Sequence, residues 1–223
     1  MGSTPYLRLD TAVMDANIAA MAARCAASHL ALRPHAKTHK SPQVARRQLE
    51  AGAVGLTVAT IGEAEVFAEA GVDDLFIAYP LWVDADAAAR LRALAGRSRV
   101  LVGCDSVEAA RRLARLPVEV LVEVDSGHHR SGVDPARAGD LAAACTDLGL
   151  RVRGTFTFPG HSYAPGVAAV AAADEAAAMA VAAASLASAL VPGPVASGGS
   201  TPSAAHTTSG VVTELRPGVY VFG

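Results

Sequence analysis

Short apolar stretches alternate with segments of helical periodicity along the whole chain, and this alternation constrains the fold more than any other feature. Strand-like runs fall at residues 30–37, 55–60, 74–80, 99–105, 118–125, 150–159, 194–199 and 213–222. Helical periodicity fills the gaps at 43–51, 63–70, 85–95, 107–116 and 135–148, and another helix at 11–27 precedes the first strand. The alanine-rich run 167–190 completes the series. Asp174 and Glu175 interrupt it, so it reads as an amphipathic helix lying on a sheet, not as a membrane span. Eight strands that each feed a helix predict an α/β chain closed into a (β/α)8 TIM barrel, with an open doubly wound sheet as the alternative. The 223 residues form one domain, 1–223, with no internal linker, and a barrel this small requires short loops.

In a barrel strand alternate side chains face the axis, and reactive groups gather at the C-terminal ends of the strands. The first strand puts Arg33, His35 and Lys37 on one face and Leu32, Pro34 and Ala36 on the other. The apolar set suits the outer helices, which turns the charged set inward, where buried charge needs partners. Glu123 and Asp125 share one face of the fifth strand and are the expected partners of Arg33 and His35, leaving Lys37 at the rim.

Lysine usage sharpens this. The chain has seventeen arginines and two lysines, and the lysines are Lys37 and Lys40. A chain that uses arginine for its ordinary charge keeps lysine where a guanidinium cannot serve, and imine formation is the clearest such task. The plainer alternative is two solvated lysines that happen to cluster. Other strand ends add to the rim: His128, His129 and Arg130 after the fifth, His161, Ser162 and Tyr163 after the sixth, and Gly198-Gly199-Ser200-Thr201 after the seventh. Glycines and hydroxyls at that last position suit a phosphate, which barrels commonly bind near strands seven and eight. The formal net charge of −2 and the lack of a basic run argue against a nucleic-acid partner. Cys25, Cys104 and Cys145 lie far apart, as free thiols of a cytoplasmic protein would, and no histidine or cysteine spacing marks a zinc site. Two chemistries fit: a Schiff-base aldolase acting on a sugar phosphate, or a pyridoxal-phosphate (PLP) enzyme whose cofactor brings the phosphate.

The segment Arg33-Pro34-His35-Ala36-Lys37-Thr38-His39-Lys40 resembles the signature of the D-threonine aldolase and D-serine dehydratase family, PLP enzymes with an alanine-racemase-type N-terminal barrel (fold type III). Further segments match in order: 4–10, 125–132, Gly160-His161-Ser162-Tyr163, Gly198-Gly199-Ser200-Thr201-Pro202 and Glu214-Leu215-Arg216-Pro217-Gly218. The resemblance implies that Lys37 holds PLP as an imine on the first strand, with His35 beside it; a sugar-phosphate aldolase would more usually carry its lysine on strand six. It implies that Gly198, Gly199, Ser200 and Thr201 cradle the cofactor phosphate with help from Tyr163, and that Arg130 faces the phenolic oxygen. Lys40 becomes a bystander or an electrostatic neighbour, and the pyridine nitrogen has no assigned partner. The implied reaction is a lyase reaction on a small D-3-hydroxy amino acid through an external aldimine, with Lys37 as base and His161 or His129 acting on the β-hydroxyl. Family members carry a further β domain that supplies ligands to a divalent metal, zinc or manganese. The 223 residues do not include that domain, so the chain is expected to be a fragment or to work without it; the metal is expected only with that domain, no metal ligand is assigned here, and the full-length form is expected to be a homodimer. The alternatives are a single-domain PLP-binding protein that manages cofactor supply and an alanine-racemase-like racemase.

Overall fold

In the computed structural model, which describes residue 4 and residues 8–223, all eight strands form and pair in parallel. Pro5, Tyr6 and Leu7 of the opening segment lie outside the described residues. The strands are β1 (Ala31–Leu32), β2 (Leu56–Val58), β3 (Asp74–Pro80), β4 (Arg99–Cys104), β5 (Glu119–Glu123), β6 (Arg151–Phe156), β7 (Val195–Gly198) and β8 (Glu214–Leu215). Their order, β1-β8-β7-β6-β5-β4-β3-β2, brings β1 and β2 to the two ends. Those ends meet: the Val54 N–H donates to Leu32 O and the Thr57 N–H to Pro34 O, both at 2.8 Å, so the sheet closes into a barrel. β1 and β8 are shorter than the apolar pattern predicts, because Pro34 and Pro217 bring no N–H to the ladder. Even so, the Arg33 and His35 N–H groups donate to Leu215 O and Pro217 O at 2.9 Å.

Seven α-helices among the described residues cover the barrel: α1 (Thr11–Ala27), α2 (Pro42–Glu50), α3 (Ile61–Glu69), α4 (Ala85–Ala95), α5 (Val107–Leu113), α6 (Ala138–Asp147) and α7 (Ala168–Ser188). The first five start where a short polar side chain can accept the free N–H groups of the first turn. Asp10, Ser41, Thr60, Asp84 and Ser106 fill that position, each accepting at least one N–H. Pro42 adds a pre-set φ at the first position of α2. By length and composition α7 could cross a membrane, yet Ala171, Glu175, Met179, Ala182 and Leu186 are buried on one side of it. That side lies on β6, β7 and α6.

Outward-facing residues such as Val100, Val102, Val120 and Val122 pack against the helices in the main core, while Phe76, Leu101, Leu121 and Phe156 fill the barrel interior. The interior also carries charge, and here the expected pairing is wrong. Arg33 bonds to Glu214 at 2.8 Å and to Asp74, not to Glu123 or Asp125. Glu123 faces inward as expected but accepts from Ser131 Oγ at 2.8 Å, while Asp125 sits in the loop and accepts the N–H groups of Gly127 and His129. The three cysteines are free and buried, though Cys104 and Cys145, distant in sequence, lie with their sulfurs 3.9 Å apart.

Candidate active site

At the C-terminal mouth of the barrel lies an open cavity of about 240 Å3. Lys37 enters it from a single 3-10 turn, Ala36–Thr38, which Arg33, Pro34 and His35 connect to β1. The turn is held from behind. His39 Nε2 lies 3.1 Å from Gln48 Oε1, and Gln48 Nε2 donates to the Tyr220 hydroxyl at 2.9 Å. His39 is thus a structural residue that anchors the lysine turn to α2 and the C-terminal segment. Lys40, in the left-handed region at φ +49°, turns outward and pairs with Glu63 at 2.9 Å. It is an electrostatic neighbour and does not line the cavity.

The cavity is cationic. Lys37, Arg130 and Arg216 line it, and among the described residues no acidic side chain does. Burial lowers the Lys37 ammonium below its usual pKa, the charges of Arg130 and Arg216 push it the same way, and Glu63 opposes them. The amine is therefore easier to deprotonate, as attack on a carbonyl requires. His35 lies beside it, and burial, with the Lys37 and Arg216 charges, keeps its ring neutral well below the ordinary histidine range. Phe158 stands between two cations, its ring centre 5.4 Å from Lys37 Nζ and 5.2 Å from the Arg130 guanidinium.

Arg216 forms the floor. It is buried, donates to Ser197 Oγ at 2.6 Å and to the Thr157 carbonyl, and lies 5.4–5.7 Å from the ring centres of Phe156 and Phe76. Sequence reasoning gave it no role, although it stands in the closing Glu214–Gly218 segment. Only the barrel's closure carries it across to Lys37.

Of the expected site residues, the fold brings Lys37, His35, Arg130, Tyr163, Gly199 and Ser200 together around this cavity. Gly198 and Thr201 lie just behind the lining: Gly198 backs onto Glu175, and Thr201 Oγ1 accepts the Gly218 N–H at 3.2 Å. His129 and His161 do not line the cavity. The His129 side chain is 81% exposed and bonds to Asp125 at 2.7 Å. His161 sits on the 3-10 turn Gly160–Tyr163 with its Nε2 3.4 Å from Asp174 of α7. The expected phosphate donors are also rearranged, because the Gly199 N–H goes to Glu175 and the Ser200 N–H to Ser203 Oγ.

The alanine racemase N-terminal domain profile matches residues 9–223. The chain belongs to the alanine racemase N-terminal domain family. Within it, the chain is 40% identical over 239 aligned positions to D-threo-3-hydroxyaspartate dehydratase from Delftia sp., covering 98% of this chain and 61% of that protein. The crystal structure of D-threonine aldolase from Filomicrobium marinum superposes with a TM-score of 0.94 at 33% identity, covering 99% of this chain and 62% of that one. An uncharacterized Mycobacterium tuberculosis protein is 47% identical over 163 positions, 70% of this chain and 95% of its own length. The chain thus spans about three fifths of the two relatives named as enzymes. The lysine that follows β1 and the glycine-serine turn that follows β7 lie at one mouth of this barrel.

Proposed function

We propose that this barrel binds PLP at Lys37 and belongs to a lyase acting on D-3-hydroxy amino acids. The observation that carries the reading is the cavity itself: a lysine of lowered pKa, two further cations and, among the described residues, no acid, beside a glycine-serine turn at the C-terminal end of β7. An aldehyde bearing a phosphate matches that donor set. The relatives D-threo-3-hydroxyaspartate dehydratase and D-threonine aldolase support the substrate class.

PLP, when bound, supplies an electron sink for the charge left at Cα as a bond to it breaks. The chain's own residues do the rest. Lys37 would hold the aldehyde carbon and, as a free amine, would hold or take a proton at Cα. Ser200, Gly218 and Tyr163 would hold the phosphate, and Arg130 would orient the phenolic oxygen. Arg216, which can only donate, lines the cavity and would favour a pyridine nitrogen in its acceptor state. Phe158 excludes water from the side between the two outer cations.

The test is direct. The protein incubated with PLP should turn yellow, and borohydride followed by peptide mapping should find the cofactor fixed to Lys37. Lys37→Arg should abolish both, since a guanidinium forms no imine. Labelling at Lys40, or none, would remove the assignment.

A further inference from the structure

Helix α7 is almost entirely alanine and other small apolar residues, yet its buried side carries one carboxyl group. Glu175 is wholly buried. Its Oε1 accepts the Gly199 N–H at 2.6 Å, and among the described residues its Oε2 has no hydrogen-bond partner. A carboxyl group in such a place costs stability unless it is used. The turn above it is shaped around it. A Cβ on Gly198 would lie 2.5 Å from Glu175 Oε1, and Gly199 sits at φ +80°, where side chains are strained.

The same turn is tied down on every other side. The Arg216 N–H donates to Gly198 O at 2.8 Å. The Ser200 hydroxyl lies between those of Ser162, at 2.7 Å, and Ser203, at 2.9 Å, all three buried. Of these ties the one to Glu175 comes from the helix layer and takes up the Gly199 N–H. With that N–H taken up, Gly199 and Ser200 both form part of the cavity wall.

We propose that Glu175 is the positioning residue of the phosphate-binding turn: by taking up the Gly199 N–H, it sets the orientation of Ser200 toward the cofactor phosphate. This rests on the reading of the cavity as a PLP site and adds to it a residue that touches neither cofactor nor substrate.

Pyridoxal, which has the ring and aldehyde of PLP but no phosphate, separates this role from general damage. Both ligands are titrated by their absorbance against the wild type, Glu175→Leu, Glu175→Gln and Gly198→Ala. Glu175→Leu removes the acceptor, and Gly198→Ala pushes it away. Each should weaken PLP roughly tenfold or more while changing pyridoxal less than about twofold. Glu175→Gln keeps an acceptor oxygen at the same reach and should retain PLP within about threefold. If Glu175→Leu does not fold, the contrast between Gly198→Ala and Glu175→Gln decides. Unchanged PLP affinity in the leucine and alanine variants would overturn the proposal, and so would parallel loss of both ligands. A wild type that binds neither ligand would overturn the cofactor reading and this proposal with it.

Discussion

Two buried side chains with opposite pKa displacements set how this protein should respond to pH. Burial raises the Glu175 carboxyl from its ordinary 4.5 to about 7, against the hydrogen bond from Gly199 and the charge of Arg216. The folded chain therefore holds that proton more tightly than the unfolded chain. The stability this gives is complete below about pH 4.5 and is lost as pH rises toward 7. His35 works the other way: its folded pKa is depressed, so its contribution is present above about 6.5 and lost as pH falls. On these two groups the melting temperature should pass through a broad maximum between about pH 4.5 and 6.5 and fall as pH approaches 7. Glu175→Gln should melt progressively higher relative to the wild type as pH goes from 5 to 8. A difference that stays flat across that range would show that folding does not raise the Glu175 pKa. Lys37 was legible from the sequence because lysine is so rare in this chain; Glu175 was not, since a carboxylate in an alanine helix reads as a solvated residue.

Among the elements, β1 and β8 are the weakest strands and depend most on side chains. Each is two residues long, and Arg33 links them across the seam by bonding Glu214 of β8 while reaching Asp74 at the start of β3. Removing the guanidinium leaves a buried carboxylate without its partner, at roughly 3–5 kcal/mol. For a domain of this size Arg33→Met should lower the melting temperature by roughly 10 °C. Adding Glu214→Gln should recover part of the loss, because the stranded charge is then gone. Full stability in Arg33→Met alone would show that the seam holds by backbone bonds. The expected strands and helices nearly all formed, with boundaries close to those the apolar pattern and the capping residues indicate. Where they fell short, at β1 and β8, the cause is proline, and the chain still follows the same path.

For the whole molecule the question is what this barrel does by itself. Its cavity brings Lys37 and Tyr163 as proton-carrying groups, while His129 and His161, expected to act on a β-hydroxyl, stand outside it. Among the described residues no group of three or more histidines, cysteines and carboxylates is arranged to hold a metal ion. A bound metal contributes several kcal/mol where it polarises a reacting oxygen. The 223-residue chain is therefore expected to bind PLP but to release glycine or pyruvate from D-threonine or D-serine slowly, with zinc or manganese leaving the rate unchanged. A coupled assay for glycine, aldehyde or pyruvate across a metal titration checks this. Strong metal stimulation would point to ligands that the fold assembles elsewhere.

The sequence alone determined the order of strands and helices, the helix starts, and the strand ends where Lys37, Arg130, Tyr163 and Ser200 collect. These follow from local physics: a period of two or of 3.6, a capping hydroxyl or carboxylate, and the rule that a barrel's loops at one end share one mouth. Tertiary structure alone decided which charges meet. Periodicity tells that Arg33 and Glu123 both face the axis, but not how deep each lies along it. Depth is set by the stagger between strands in the closed barrel. That stagger puts Arg33 level with Glu214 and Asp74 and brings Arg216 into the cavity with Lys37, while the packing of α7 on β6 and β7 puts Glu175 against the turn that follows β7.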